Sequence, residues 1–176
     1  MKNMKVTILV VSDNHGSLDN IHHLIKKKQY DAILHAGDYT CNCQDVLLIH
    51  PKTYFTLGNN DFAQDIKFMS EDGIYYPKDN AYVITIANYK FVIVHGHLQL
   101  EGFYQLQVSK FKQLAKKYHA QFVIFGQTHI PTYHQVDQIH ILNPGSINFP
   151  RSNMGKTYAE IEFENDQPAK VTICRF

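Results

Sequence analysis

A net charge of only +1 over 176 residues leaves this chain without the broad positive footprint that nucleic-acid binding draws on. Arginine occurs just twice, at Arg151 and Arg175. The one basic run, Lys26-Lys27-Lys28, reads as the solvated end of a helix, favourably placed near its negative pole. Long apolar stretches are missing as well. The stretch starting at Val6 is about six residues long against the ~20 needed to cross a bilayer, and no small-residue cleavage pattern follows it. It is therefore expected to be a first strand, and no membrane partner is expected. Cysteine is scarce and odd in number, at three, with Cys41 and Cys43 too close to bridge easily. That excludes a disulfide framework and points to reduced thiols and a cytoplasmic location. Two neighbouring thiols without partners elsewhere also fall short of a zinc site. Repeats, linkers and low-complexity tracts are absent, and 44% apolar residues suffice for one core, so residues 1–176 are expected to form a single domain.

The patterning alternates strand and helix, then turns to consecutive strands. Residues 6–11 form a continuous apolar run, as in a strand covered on both faces, and Ser17 offers an N-cap for a helix through Leu18, Ile21, Leu24 and Ile25. Strands are predicted at 32–36 and 54–57. Residues 82–86 and 90–94 flank Ala87-Asn88-Tyr89 as a hairpin. Leu106, Val108, Phe111, Leu114, Ala115 and Tyr118 recur at mostly helical spacing between Gly102 and His119. A strand at 122–125 follows, then antiparallel strands at 132–136, 139–142, 158–163 and 171–176, with turns at Asp137-Gln138 and Asn165-Asp166-Gln167-Pro168.

Five short motifs fall at or just after the carboxyl ends of these strands: Asp13-Asn14-His15, Gly37-Asp38, Gly58-Asn59-Asn60-Asp61, His95-Gly96-His97 and Gly126-Gln127-Thr128-His129. The carboxyl rim is where open α/β sheets build their sites. Asp13 and His15, one residue apart, can aim at the same ion, and the glycine before Asp38 lets the chain turn so that its carboxylate can bridge two cations. Asn59 adds a carbonyl oxygen, and His95 and His129 add imidazoles. Such a mixed set suits hard-to-borderline divalent metals better than copper(I). Each motif alone is ordinary loop chemistry; the ordered set at successive strand ends is what points to a metal centre. Other histidines carry no such context. His22 and His23 sit on the first helix, and His35 lies inside a strand, where a satisfied core histidine is the default.

The ordered motifs resemble the calcineurin-like metallophosphoesterases, and most closely their small single-domain YfcE-type phosphodiesterase branch; Leu142-Asn143-Pro144-Gly145-Ser146 with Pro150-Arg151 is similar to that branch's further signature. The likeness runs from Val6 to about Arg151. It implies an α/β fold, a four-layer αββα sandwich of two facing mixed β-sheets, with a two-metal centre. By position, Asp13, His15, Asp38 and His129 would hold the first metal and Asp38, Asn59, His95 and Gln127 the second, with Asp38 shared. Manganese is the first expectation, with nickel, magnesium, zinc or iron as alternatives. The chain departs from the family at Gln127, where a histidine is usual; an amide oxygen is a poorer ligand for zinc or nickel. It departs again at Asn60, often a histidine in larger branches, because an amide has no usable proton to give a leaving group.

The resemblance implies a metal-dependent phosphodiesterase acting on small phosphodiesters, with metal-bound hydroxide as nucleophile. Two cations roughly 3.5–4 Å apart would neutralise the phosphoryl oxygens and hold the water in line. His97 is a candidate to touch the phosphate or the leaving oxygen, or else to hydrogen-bond within the structure. Arg151 can fork onto a phosphate or form a surface ion pair. Residues 62–78 and 99–105 are expected to supply specificity. The competing reading is a protein-interaction scaffold of the same fold, binding metal with little or no catalysis, as in the small vacuolar-sorting subunit that this family resembles. A nuclease of the same superfamily lacks the expected basic groove. A homo-oligomer stays open.

Overall fold

The computed structural model describes residues 5–101, 107–165 and 167–176. Along the chain run β1 (Lys5–Val11), α1 (Asp19–Lys27), β2 (Ala32–His35), α2 (Cys43–Leu48), β3 (Thr53–Phe55), a 3₁₀ segment (Ala63–Phe68), β4 (Ile74–Tyr76), β5 (Ala81–Ile86), β6 (Tyr89–Val94), α3 (Val108–Tyr118), β7 (Phe122–Ile124), β8 (Thr132–Val136), β9 (Ile139–Asn143), β10 (Thr157–Glu164) and β11 (Lys170–Arg175). They build a five-stranded sheet, β11-β10-β1-β2-β3, and a six-stranded one, β4-β5-β6-β7-β9-β8. Both are mixed: β1, β2 and β3 run parallel, as do β6, β7 and β9, while the remaining pairs are antiparallel.

The continuous apolar runs now have their reason. Successive side chains of a strand point to opposite faces. Ile8 and Val10 of β1 meet Phe91, Ile93, Phe122 and Ile124 of β6 and β7 between the sheets, whereas Leu9 and Val11 pack outward with Ile21 and Leu24 of α1 and Val46 of α2. On the far side Val92, Val94 and Val123 pack against Phe111, Leu114 and Ala115 of α3. The layers are therefore helix, sheet, sheet, helix, the four-layer sandwich expected from the family resemblance.

Register brings the loops together. Val11 pairs with His35 and His35 with Phe55, so β1, β2 and β3 end level and their loops emerge side by side. Ile93 pairs with Ile124, which levels the ends of β6 and β7 in the same way.

Some local expectations need correction. Ser17 is not the N-cap of α1: Leu18 takes that position, and the Ser17 hydroxyl instead accepts the Asp19 N–H at 3.3 Å. Helix α2, the 3₁₀ segment and β4 were not predicted, being too short to show a period. Leu106 and the proposed start of α3 near Gly102 lie outside the described residues, as do most of the 99–105 loop and Asp166 of the last turn; α3 is seen from Val108. The hairpin is present, but its turn is one residue shorter than expected: Tyr89 pairs with Ile86 inside β6, and Ala87 and Asn88, both left-handed at φ 50° and 66°, form the two-residue connection.

Candidate metal centre

The loop after β1 is stitched to the loop after β2 by backbone bonds. Asp13 N–H donates to Gly37 O (3.0 Å), His15 N–H to Asp38 O (3.1 Å) and Gly16 N–H to Tyr39 O (2.7 Å). This ladder turns the side chains of Asp13, His15 and Asp38 toward one another, and it requires unusual backbone. Asp13, His15 and Asp38 have φ of 54°, 45° and 55°, and across the rim Gln127 and His129 have 68° and 59°. Left-handed non-glycine residues are uncommon, and a cluster of them marks a place where the surroundings over-determine the chain.

Two triads result, Asp13-His15-His129 and Asp13-Asp38-His95, each offering one ligand atom per residue within 4.8 Å of the others. His129 Nε2 lies 3.4 Å from Asp13 Oδ1 and 3.2 Å from His15 Nε2. His95 Nε2 lies 3.4 Å from Asp38 Oδ2, inside ion-pair range but without good hydrogen-bond geometry, and 3.8 Å from Asp13 Oδ1. Asp38 Oδ2 is also 3.8 Å from His15 Nε2, so both carboxylates reach into both halves of the centre. The histidines are oriented from behind: His95 Nδ1 donates to Ala36 O (2.7 Å) and His129 Nδ1 to Phe149 O (2.6 Å). Each therefore presents Nε2 to the centre, the usual arrangement of a ligating imidazole.

Glycines make room for this. A Cβ on Gly58 would sit 1.9 Å from Asp38 Oδ1, and one on Gly126 would sit 2.0 Å from Ser12 Oγ and 2.7 Å from Asp13 Oδ2. A Cβ on Gly37, at φ 90°, would sit 2.6 Å from Gly58 N and 2.9 Å from His95 Nδ1.

The electrostatics are dominated by the two carboxylates. Burial alone would raise the Asp38 carboxyl, but His95 and the Asn60 hydrogen bonds outweigh it and hold the group well below the usual carboxylate range. Burial likewise opposes a charge on His95, yet the Asp38 and Asp13 carboxylates win and push its pKa up to about 9. His15 is lowered, chiefly by burial, against the pull of the same carboxylates. His97 is lowered by burial and by His95.

The remaining candidates are placed as follows. Asn59 is exposed on its turn, and it is Asn60 that reaches Asp38, through its backbone N–H to Oδ1 (2.9 Å) and its amide to Oδ2 (2.8 Å). Gln127 is half-buried, and its backbone N–H donates to Asp13 Oδ2 (3.2 Å). His97 stands beside His95 at 5.7 Å between ring centroids, its Nδ1 buried without a hydrogen bond. Arg151 is exposed beyond His129, whose carbonyl accepts the Arg151 N–H at 3.2 Å.

Several supporting residues escaped sequence reasoning. Asp61 accepts backbone N–H groups from Asp38 (2.6 Å), Gly58 (2.7 Å) and Thr40 (2.9 Å), so it pins two loops at once. His35, read as a core histidine, accepts the Gly37 N–H and donates to Asn14 Oδ1 (2.8 Å). Burial lowers its pKa to about 4, which keeps it neutral for both bonds. Ser146 donates to Asp13 O (2.7 Å), and the Asn148 amide donates to Asn14 O (2.6 Å). Asp61 and Ser146 belonged to quoted motifs, but the motifs did not say what they hold.

The sequence pattern of the calcineurin-like phosphoesterase superfamily domain matches residues 4–166. The chain belongs to that superfamily. It is 28% identical over 174 residues to a probable metallophosphoesterase of Mycoplasma genitalium, covering 96% of this chain and 94% of that one. It is 28% identical over 152 residues to a phosphodiesterase of Methanocaldococcus jannaschii, covering 81% and 83%. Among solved structures, a predicted phosphoesterase from Streptococcus pneumoniae superposes with TM-score 0.76 at 27% identity, covering 98% of this chain and 90% of the other. The superfamily read from the five motifs is thereby shown, and with it the metallophosphoesterase fold and the hydrolase class. Among the described residues no helix is long and apolar enough to cross a membrane.

Proposed function

We propose that this superfamily member is a metal-dependent phosphodiesterase whose centre takes two divalent cations, held by Asp13, His15, Asp38, His95 and His129, which the fold gathers, with Asn59 and Gln127 as the further ligands that the family resemblance implies. The observation that carries the reading is a pair of buried atoms, Asp13 Oδ1 and His95 Nε2, that face the centre with no hydrogen-bond partner. Burying such groups unsatisfied is costly, and a cation between them removes that cost. The donor set, carboxylates and imidazoles with flanking amides, suits manganese first and nickel, magnesium, zinc or iron next.

Bound there, two cations supply charge neutralisation at the phosphoryl oxygens and lower the pKa of an attacking water. The protein's own part is to fix the geometry. His95 and His129 are locked through Nδ1, Asp38 is locked by Asn60 and the ladder, and His97 and Arg151 stand at the margin to orient the phosphate. No general acid is present at position 60, where the amide is already committed to Asp38. Activated aryl diesters should therefore be hydrolysed faster than alkyl or nucleotide diesters, and monoesters little. The test is metal analysis of the purified protein together with hydrolysis of an aryl phosphodiester before and after chelation. Activity that survives exhaustive chelation would overturn the metal-dependent reading, and none with manganese, nickel, magnesium or zinc would favour the scaffold reading.

The His95 proton gives a pH test. Its folded pKa, about 9, lies above the ordinary 6.5. The stability it contributes is thus fully present below pH 6.5 and is lost as pH rises through about 9. The melting temperature of chelated protein is expected to fall across that window, and manganese should remove the fall by taking over as counter-charge to Asp13 and Asp38. A flat profile without metal would show that His95 does not carry the charge.

Gln127 gives a second test. Gln127→His is expected to tighten the weaker metal site and to raise activity at low metal concentration, most for zinc or nickel. Unchanged stoichiometry and activity in a folded variant would place Gln127 outside the coordination shell.

A further inference from the structure

Beside the exposed edge of the centre lies a cavity of about 570 Å³ lined by His15, His129, Asn148, Phe149, Pro150 and Arg151. That volume falls in the range of small-molecule sites, roughly 300–1,000 Å³. Asp13, Asp38 and His95 are buried, so the His15 and His129 side is where a group attached to a bound phosphate has room. The unusual member of the lining is Phe149, a large aromatic left 54% exposed. It is not exposed through looseness. Its N–H donates to Ser146 Oγ (2.8 Å), its carbonyl accepts from His129 Nδ1 (2.6 Å), and Ser146 in turn donates to Asp13 O. The Phe149 and His15 rings form a T-shaped pair, at 5.6 Å between centroids and 80° between planes, and more than half of Phe149 stays exposed. The Asn148 amide is spent on Asn14 O, Ser17 O and the Asn20 side chain, so it does not compete for the cavity.

A rigid apolar plate at the mouth of an otherwise polar centre has one evident use. We propose that Phe149, with Arg151 beside it, is a specificity-determining platform that takes a planar aromatic substituent of the phosphate ester, aryl ring or nucleobase. Aromatic stacking of this kind is sequence-tolerant and strong enough to dominate selectivity, roughly 5- to 100-fold per ring. Arg151 lines the same cavity, and a guanidinium can stack on π-faces as well as pair with phosphate.

The proposal rests on the phosphoesterase reading above, and a binding measurement separates the two. Manganese-loaded protein is titrated by calorimetry with methyl phosphate, phenyl phosphate and adenosine 5′-monophosphate. Phenyl phosphate or the nucleotide should bind at least fivefold more tightly than methyl phosphate, and whichever is favoured identifies the source of the ring. Phe149→Ala should abolish that gap, and Phe149→Tyr should restore it. If Phe149 only braces His15, Phe149→Ala weakens all three ligands equally and the gap persists, which overturns the proposal. Equal binding of the three by the unaltered protein overturns it too, as does failure of any to bind. Loss of diester hydrolysis with the gap intact would instead count against the phosphodiesterase reading alone.

Discussion

Asp38→Asn is expected to lower kcat/KM on an activated aryl phosphodiester by on the order of 10³, with loss of bound metal but not of the fold. The asparagine keeps the shape and can still accept the Asn60 N–H, which bonds Oδ1 at 2.9 Å. What it removes is the negative charge that stands 3.4 Å from His95 Nε2 and 3.8 Å from His15 Nε2, between the two halves of the centre. That carboxylate is held well below its usual pKa, so the full charge is in place at neutral pH. Asn59→Ala, at an exposed and neutral residue, should cost much less. Metal content and kcat/KM measured side by side decide the matter: wild-type values in Asp38→Asn would remove the two-cation assignment at its core.

Gly58→Ala is expected to be the most damaging single-methyl change at the site. The added Cβ would fall 1.9 Å from Asp38 Oδ1 and 2.3 Å from Asp38 N. The backbone atom cannot yield easily, because Asp61 grips Asp38 N and Gly58 N together. Overpacking of this sort costs about 1–3 kcal/mol, and displacing Asp38 by even an ångström should lower activity on the order of 10²-fold. Gly155→Ala is the control. Its φ of 75° strains an alanine, but nothing lies within 4 Å of the added carbon, so it should cost about 1 kcal/mol and leave kcat/KM alone. Thermal melts and kinetics on the two variants separate lost space from lost backbone freedom; an active, stable Gly58→Ala would mean that the Asp38 loop is free to move.

The central strands of the two sheets were legible because they are buried on both faces and write continuous apolar runs, as at Leu9, Val10 and Val11 and at Val92, Ile93 and Val94, whereas β10 shows the alternation of a strand buried on one face. Helix α2, six residues capped by the Asn42 side chain, and the three-residue β4 carry too few side chains for any period to emerge. At the centre, Asp13, His15, Asp38, His95 and His129 could be picked out because they hang from strand ends, and the fold groups them in two triads. Which asparagine of the pair at 59 and 60 faces Asp38 could not be read, since it depends on the path of a turn. Nor could the triple grip of Asp61 or the latch from Ser146 to Asp13, which bridge residues far apart in sequence. Phe149 lay unmarked next to the Pro150-Arg151 signature, because nothing in a sequence tells a half-exposed phenylalanine from a core one.

Among the described residues the two sheets share no strand pairing; each is complete by itself. Asp13, His15 and Asp38 belong to the rim of one sheet and His95 and His129 to the rim of the other. Cations gripped by both rims would act as rivets through the edge of the sandwich. To pry the sheets apart from that edge would be to open the coordination sphere, and to empty the coordination sphere would be to leave the carboxylates of one rim with only His95 of the other as counter-charge across the seam. Metal release and mechanical parting of the layers would then be one coordinate, and bound ions would fasten the fold as well as serve its chemistry.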